Sequence, residues 1–245
     1  MKNFYIFASI KNIYTGQVKK LKEESKLETK VVYIEEFVEK REDYTISSED
    51  IIYFLCCNSP LVPEAINLLE PCNCTIINRT YLENNYKKGD IQNLLKVNNV
   101  LIPEIFVGEN IEKLRFPIFC KENRHEGIIF QAYNKITLER FFEKFNILDF
   151  YFEEVIIDNG STGHETKLYC VENEVFGKED NVLITDEMKE ICKNISKALN
   201  NLEVFSVDII QDNDSKNYVI DVNPAAGFYL SDSGRKYFLD KIYNM

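Results

Sequence analysis

The chain contains 245 residues, 45% of them apolar, and has a formal net charge of −11 at pH 7. This length and composition allow a substantial hydrophobic core, in one large domain or two small ones, and exclude a disordered chain. The acidic balance argues against binding along a nucleic-acid backbone, which relies on basic patches. An anionic nucleotide would need Mg²⁺ and a few well-placed lysines.

The apolar runs do not indicate a membrane or secreted protein. The runs at residues 4–10 and 51–57 are far shorter than the ~20 residues that a membrane span needs. Lys11 interrupts the first run and no small-residue cleavage site follows, so a signal peptide is not indicated. We expect a cytoplasmic protein without a membrane partner.

The cysteine content favours reduced thiols. An odd number of cysteines lies scattered through apolar segments, which is typical of core thiols and not of a disulfide framework. Cys72 and Cys74 lack the usual zinc spacing, and His125 and His164 are the only histidines, so a structural zinc site is not predicted.

The first 80 residues alternate strand and helix patterns. Apolar runs predict four strands, at residues 4–10, 30–34, 51–56 and 75–78. Helical spacing predicts a helix at residues 15–27, and Ser59 before Pro60 predicts the capped start of another that runs to Leu69. This alternation indicates a small parallel α/β layer. No glycine-rich fingerprint follows the first strand, so a dinucleotide site is not expected there.

The middle of the chain combines helices with short strands. Residues 78–99 read as a linker followed by a helix, with apolar positions at Ile91, Leu94, Leu95 and Val97. Three strands are predicted, at residues 100–107, 116–121 and 128–133, and the last two are expected to pair. Thr137 is predicted to open an amphipathic helix whose inward positions are Leu138, Phe141, Phe142 and Phe145.

The last third begins with strand patterns at residues 150–157 and 165–171, separated by a loop at 158–163. Thr185 is expected to cap a helix that runs to Asn200. A hairpin then spans 204–223, and residues 228–245 read as a loop and a short helix.

The hairpin carries two acids, Asp208 and Asp221, on its two strands. Register decides whether their side chains share a face of the sheet. Two carboxylates ~4 Å apart repel each other by ~4 kcal/mol at an effective dielectric of 20, so a shared face would imply a cation such as Mg²⁺. Asn223, two residues beyond Asp221, would add a third oxygen ligand. Alternatively, the hairpin lies at the surface and its acids face water.

The order of these residues resembles the metal-binding end of the ATP-grasp family: an upstream Asp208, then Asp221 and Asn223 before Pro224, with Gly227 soon after. In that family an acid-x-Asn pattern and the upstream aspartate hold two Mg²⁺ ions on the phosphates of ATP. Here Asp221 stands where many members have glutamate, which shortens the ligand without removing it.

The resemblance extends from about residue 78 to the C-terminus, and the chain resembles glutathione-synthetase-like and ribosomal-protein-S6-modification-like ligases. It implies an α/β and α+β fold in three parts. These are an N-terminal α/β domain (1–80), a middle lobe (81–152) and a C-terminal lobe with the metal site (153–245), with ATP enclosed by the last two.

The family binds the α- and β-phosphates with two lysines. The resemblance assigns this role to Lys87 or Lys88 and to Lys121, the last residue of a predicted strand. Each lysine would otherwise be a solvated surface charge. Lys167 matches the position of a basic residue near the γ-phosphate.

The family binds the adenine edge at a hinge, which the resemblance places at Glu153, Glu154, Val155 and Ile156. A carboxylate and a backbone N–H match the amino donor and ring acceptors of adenine. Glu154 is the preferred carboxylate; in the alternative it is an edge-strand acid that faces water.

Two departures affect this assignment. The flap after the second lysine holds a single glycine among charged residues, so His125 is a candidate donor there, or else a solvated loop histidine. Ser206 occupies the position where D-alanine-ligase-like members have an arginine, which disfavours that subtype.

At the substrate end, Arg235 either holds a substrate carboxylate in a bidentate fork or caps the final helix as a surface charge. The function implied is an ATP- and Mg²⁺-dependent carboxylate–amine ligase acting on an amino acid, peptide or small-molecule acid, as a monomer or a homodimer, without a nucleic-acid partner. The alternatives are a kinase of an inositol-phosphate-like polyol and a non-catalytic nucleotide-binding scaffold. The small number of arginines disfavours the kinase.

Overall fold

A computed structural model describes residues 2–9, 16–107, 113–123, 127–156, 165–228 and 230–245. The chain forms two compact units, each built from separate stretches of sequence. Unit 1 comprises residues 1–85, 167–207 and 222–245, and unit 2 comprises 86–166 and 208–221. The predicted boundaries near residues 80 and 152 remain a prediction.

The N-terminal sheet is parallel, as the alternation of strands and helices predicts. Its strand order is β2-β1-β3-β4. The strands are β1 (Asn3–Ala8), β2 (Glu28–Tyr33), β3 (Ile51–Phe54) and β4 (Thr75–Ile76). The helices are α1 (Gly16–Glu24), α2 (Ile34–Glu39) and α3 (Val62–Leu69). Because β1 and β3 are central and covered on both faces, nearly all their residues are apolar and buried.

The predicted cap of α3 was wrong. The Ser59 hydroxyl accepts from the N–H of Leu61, and the Ser59 carbonyl accepts from the N–H of Val62. Ser59 therefore forms a turn before the helix, whose first residue is Val62. Helix α2 was not predicted, because it contains only six residues and its apolar positions continue the pattern of β2.

The helix expected before Asn99 is α5 (Lys88–Val97), and the stretch expected as a linker contains a further short helix, α4 (Arg79–Asn84). Asn85 ends α4 in the left-handed region with φ 47°, a conformation that asparagine tolerates better than most residues. Val97 is 79% exposed and does not belong to the buried face of α5.

The sheet of unit 2 is antiparallel, with strand order β5-β8-β6-β7. Its strands are β5 (Ile105–Val107), β6 (Ile118–Glu122), β7 (Ile129–Ala132) and β8 (Phe150–Glu154). The predicted pairing of β6 with β7 is confirmed. Helix α6 (Lys135–Phe142) begins two residues before the predicted Thr137, because the Asn134 side chain caps it by accepting from the Thr137 N–H. One face of this sheet packs on α6 in an apolar core that includes Ile118, Cys120, Leu138, Phe150 and Phe152.

The third sheet has the order β10-β9-β11-β12. Its strands are β9 (Thr166–Val171), β10 (Glu174–Gly177), β11 (Val204–Gln211) and β12 (Asn217–Asn223). Two helices complete the chain, α7 (Asp186–Ala198) and α8 (Asp232–Asn244). Thr185 caps α7 as predicted, by accepting from the Met188 N–H. Helix α8 is longer than expected, and the loop predicted at 158–163 lies outside the described residues.

The seven cysteines all lie in the described part of the chain, and none forms a disulfide. All but Cys72 are buried, which confirms the expected core thiols. Across the described ranges, no helix is both long and apolar enough to cross a membrane.

Candidate active site

One face of the unit 2 sheet carries the predicted phosphate lysine. In the register, Lys121 pairs with Ile129 across β7, while Phe119 pairs with Glu153 across β8. Directly paired residues project to the same face of a sheet, and so do residues two apart on one strand. Phe119, Lys121, Ile129 and Glu153 therefore share a face, opposite the apolar core of the unit.

Lys121 and Glu153 form an ion pair on this face. The Lys121 ammonium also donates to the carbonyl oxygen of Ile220 at 3.1 Å. Glu153 is only 2% exposed, and its Oε2 atom is buried with no hydrogen-bond partner among the described residues. Burial raises the pKa of the Glu153 carboxyl, although the nearby Lys121 ammonium opposes the shift. An unpaired acceptor in this position is costly unless a ligand supplies a donor.

Lys88, the other predicted lysine, lies in the first turn of α5 and contacts strand β12, as Lys121 does. Gly89 allows the close approach, since a Cβ at this position would lie 2.8 Å from the Asn123 Oδ1 atom. The N–H groups of Lys88 and Gly89 donate to the Asn123 carbonyl and side-chain oxygens. From this point the Lys88 ammonium reaches the Asp221 carboxylate, with 2.9 Å between Nζ and Oδ1. Lys88, and not the exposed Lys87, is thus the lysine directed at a predicted metal ligand.

Gln92 lies one helical turn beyond Lys88 and was not among the predicted site residues. It is 2% exposed, and its side-chain N–H group is directed at the Ile220 carbonyl at 3.5 Å. Its Oε1 atom is buried without a partner in the described part of the chain. The spacing of four from Lys88 was the only sequence signal for it. Lys88, Gln92, Lys121, Glu153 and Asp221 together are called the charged cluster below.

The predicted metal residues lie on the hairpin that the sequence indicated. Strands β11 and β12 are neighbours, and the Asp212 N–H donates to the Lys216 carbonyl at 3.0 Å where the turn closes. Asp208 on β11 is 9% exposed, so it is not a surface acid. Asn223 ends β12, and its Oδ1 accepts from the Ala225 N–H at 2.9 Å.

Within the described ranges, no group of three histidine, cysteine or acidic side chains gathers around one point. The predicted set contains only two acids, Asp208 and Asp221, with the amide oxygen of Asn223 as the third donor. Oxygen donors of this kind fit Mg²⁺, which keeps several waters and relies on one or two carboxylates and on substrate phosphates. That these three residues bind metal remains a prediction.

The hinge residues differ in environment. Glu154 ends β8, is exposed, and donates its N–H to the Glu104 carbonyl at 2.9 Å. Val155 and Ile156 follow outside the ladder and are half-buried. Glu153, one residue earlier, is the buried acid whose Oε2 has no partner in the described ranges. Adjacent glutamates alternate faces of a strand, and the sequence alone did not show which of them faces the site.

Two other predicted residues stay untested by geometry. Lys167 lies near the start of β9 and is half-buried, and its carbonyl accepts from the Lys178 N–H at 2.9 Å. His125 lies outside the described residues.

Arg235 lies in the first turn of α8 and is 3% exposed, so it is not a surface charge. Its Nε donates to Glu24 at 2.8 Å, its Nη2 to Asp232 at 2.6 Å, and its Nη1 to the Phe228 carbonyl at 2.9 Å. Binding of a substrate carboxylate by Arg235 remains a prediction, but its burial and its three internal bonds argue against that role.

The apolar side chains of the site face were also absent from the predicted site. Phe119 lies beside the Lys121 ammonium, 5.9 Å from ring centroid to Nζ, and Ile129 is 61% exposed. Both could have been found from the predicted pairing of β6 with β7, given its register. An exposed apolar side chain beside a charged pair suits the flat face of a base.

No protein-family model matches the sequence, and no match was found among the curated proteins. Solved structures do match over nearly the whole chain. The ATP-grasp ligase PsnB, complexed with a phosphomimetic variant of its minimal precursor, Mg and ADP, aligns with a TM-score of 0.70 at 14% identity, over 98% of this chain and 97% of PsnB.

Two further ligases give similar alignments. N5-carboxyaminoimidazole ribonucleotide synthetase from Thermotoga maritima has a TM-score of 0.69 at 16% identity, over 100% of this chain and 76% of its own. The VanG D-Ala:D-Ser ligase from Enterococcus faecalis has a TM-score of 0.69 at 15% identity, over 99% and 98%. Such identities establish the fold alone, and the fold is the one that Asp208, Asp221 and Asn223 led us to expect: the chain has the ATP-grasp fold.

Proposed function

We propose that this protein is an ATP- and Mg²⁺-dependent ligase that joins a carboxylate to an amine. The observation that carries the proposal is the convergence of two lysine ammonium groups on consecutive residues of β12. Lys121 binds the carbonyl of Ile220, and Lys88 binds the carboxylate of Asp221. Two ammonium groups held this close to the carboxylate of a predicted metal ligand form a site for a polyanion such as a nucleoside triphosphate.

The nucleotide base would lie on the site face of the unit 2 sheet. The Oε2 of Glu153, which has no hydrogen-bond partner among the described residues, would accept a hydrogen bond from the adenine amino group, and this bond would remove the cost of leaving that atom unpaired. Phe119 and Ile129 would supply apolar contact for the ring. The backbone of Val155 and Ile156 would meet the remaining edge. Glu153 thereby replaces Glu154 as the preferred carboxylate.

The metal would be held by Asp208, Asp221 and Asn223, and when bound it supplies positive charge against the phosphoryl oxygens. Asp221 is paired with Lys88 in this structure. With the Asp221 carboxylate holding a divalent cation, the Lys88 ammonium would be available for phosphate oxygens. Lys121 stays anchored by Glu153 and can bind a second phosphate. Lys167 is the proposed contact to the γ-phosphate, and His125 an additional donor from the flap.

The chemistry would proceed in two steps. A substrate carboxylate oxygen bonds to the γ-phosphorus as the bond from that phosphorus to the β,γ-bridging oxygen breaks, which gives an acylphosphate and ADP. The amine nitrogen then bonds to the acyl carbon, inorganic phosphate leaves, and the nitrogen loses a proton. Positioning and charge neutralisation carry such transfers, so no side-chain nucleophile is required.

The substrate class is supported only by likeness to other proteins. The structures with the same fold include an L-amino acid ligase from Bacillus licheniformis and PsnB in complex with its precursor peptide. An amino acid, a peptide or a small-molecule acid is therefore proposed as the carboxylate. We propose that the protein acts in the cytoplasm, as a monomer or homodimer, and that it has no nucleic-acid or membrane partner.

The test is ADP formation by purified protein with panels of acids and amines. A ligase should release ADP only with both substrates, and hydroxylamine should trap the acylphosphate as a hydroxamate. Phosphate transferred to a polyol hydroxyl without any amine would make the protein a kinase instead. Tight binding of Mg²⁺-ATP without ADP from any panel member would make it a nucleotide-binding scaffold.

A further inference from the structure

Three buried side chains hold the short loop that follows β12, at residues 224–228. The Asn78 side-chain N–H donates to the Pro224 carbonyl at 3.1 Å, and the Tyr53 hydroxyl donates to the Ala226 carbonyl at 2.8 Å. Arg235 Nη1 donates to the Phe228 carbonyl at 2.9 Å. Every second carbonyl of the loop is thus bound by a different part of unit 1. Tyr53, Asn78 and Arg235 are called the loop anchors.

Asn78 ties the loop to the start of β11. Its Oδ1 accepts from the Val204 N–H at 2.9 Å, and its Nδ2 donates to the Val204 carbonyl as well as to Pro224. The residue is buried and left-handed, with φ 61°, at the N-terminus of α4. One amide side chain therefore connects the beginning of the strand that carries Asp208 with the residue that follows Asn223.

The other two anchors are equally fixed. Arg235 uses all three guanidinium nitrogens, on Glu24, Asp232 and the loop, an arrangement that a lysine could not reproduce. Tyr53 lies on the central strand β3, and burial raises its pKa well above the ordinary range, so its hydroxyl remains a donor. None of these three bonds depends on solvent-exposed side chains.

The loop in turn orients Asn223. The Asn223 Oδ1 accepts from the Ala225 N–H at 2.9 Å, so the direction of this amide follows the loop backbone. An amide oxygen has two lone pairs, which leaves one for a cation. Mg²⁺ tolerates little departure from octahedral geometry, with ligands at about 2.0–2.1 Å. A small shift of the loop would therefore weaken Asn223 as a metal ligand.

We infer that the loop anchors are positioning residues for the metal ligand Asn223, and that Arg235 serves here and not on the substrate. This inference rests on the proposed function. It assigns Tyr53, Asn78 and Arg235 to a shell that acts through backbone carbonyls. Loss of one bond in such a shell is expected to reduce metal affinity about 10-fold or more.

The test is Tyr53→Phe, with Tyr5→Phe as the matched control. Tyr5 lies on the neighbouring strand β1, is equally buried, and donates its hydroxyl to the Thr45 carbonyl at 2.9 Å. Each change removes one hydroxyl-to-carbonyl bond and keeps the ring, so both variants should unfold at similarly lowered temperatures. Only Tyr53→Phe should raise, by about 10-fold, the Mg²⁺ concentration for half-maximal ADP formation and for half-maximal binding of a non-hydrolysable ATP analogue in calorimetric titration. Its ATP half-saturation at saturating Mg²⁺ should match that of the wild type.

Equal Mg²⁺ requirements in the two tyrosine variants would overturn the inference while leaving the ligase proposal intact. A wild-type protein that makes no ADP and binds ATP without Mg²⁺ dependence would overturn the proposed function itself. Arg235→Lys provides a second variant, because it keeps the positive charge and loses the fork. It should shift the Mg²⁺ requirement in the same direction, and a shift in the half-saturation of the acid substrate alone would return Arg235 to a substrate role.

Discussion

Two regions of this molecule contain buried polar side chains but differ in how completely those side chains are bound. In the charged cluster, Glu153 and Gln92 each keep one buried oxygen without a partner among the described residues. In the loop anchors, all three nitrogens of Arg235 and both side-chain groups of Asn78 have partners. An unmet acceptor indicates a place for a ligand, whereas a fully bound side chain indicates a positioning role.

The largest effect is expected when a charge is removed from the charged cluster. Asp221→Asn is nearly isosteric and keeps an oxygen for Lys88, but it weakens the cation that neutralises the phosphoryl oxygens. Because that neutralisation contributes several kcal/mol, ADP formation should fall about 100-fold or more. Nucleotide binding should fall much less.

The control is Asp214→Asn on the same hairpin, where the acid is exposed and lies 3.8 Å from Lys216. ADP formation measured in parallel should be unchanged in this variant. Equal rates in both variants would remove Asp221 from the site.

Lys121→Met tests whether the buried ion pair is also a phosphate site. The change keeps the apolar stem and deletes the ammonium, so a charged hydrogen bond to phosphate is lost. ATP affinity should weaken about 10- to 100-fold, as calorimetric titration with a non-hydrolysable analogue would show. Lys144→Met, at an exposed position of the same unit, should bind normally. Unchanged affinity in Lys121→Met would make the pair purely structural.

Glu153→Gln sharpens the assignment of the unpaired oxygen. The carboxylate should favour ATP over GTP, because the guanine O6 acceptor would face a negative charge. An amide can donate to O6, so the preference should narrow about 10-fold in competition binding. Glu154→Gln is the matched control, one residue away and exposed. A narrowed preference in Glu154→Gln alone would restore Glu154 as the adenine carboxylate.

The smallest effect is expected in the loop. A Cβ at Gly227 would lie 2.2 Å from the Gln17 Oε1, so Gly227→Ala must displace the Gln17 side chain. We expect a loss of about 1–2 kcal/mol in the free energy of unfolding. Gln17→Ala should relieve most of it, and a double-mutant cycle from denaturant unfolding measures the coupling. Strictly additive losses would show that this contact does not shape the loop.

Period-two and helical patterns were enough to predict most strands, the cap at Thr185 and the β11–β12 hairpin, because local chain geometry decides them. These patterns failed where the backbone conformation of a single residue decided the local structure. Helix α4 occupies a stretch expected as a linker and ends at Asn85 with φ 47°, and Ser59 turns the chain before α3 instead of capping it. The ATP-grasp fold was expected from the resemblance to that family in the order of a few acids and lysines.

The site was less predictable, since several of its contacts end on main-chain oxygens. Gln92 and Lys121 both point to the Ile220 carbonyl, and residue 220 contributes only a backbone atom to these contacts. The choice between Glu153 and Glu154 depended on which of two adjacent side chains is buried. Neither fact can be read from residue types at a fixed spacing.

The loop anchors bind the loop through its backbone carbonyls, and this has a practical consequence for protein engineering. The bonds to positions 224, 226 and 228 use atoms that every amino acid possesses. Substitutions at these positions that respect the local packing would leave the three bonds available. The sequence of the loop can therefore be varied while the orientation of Asn223 is retained, provided that Tyr53, Asn78 and Arg235 are kept.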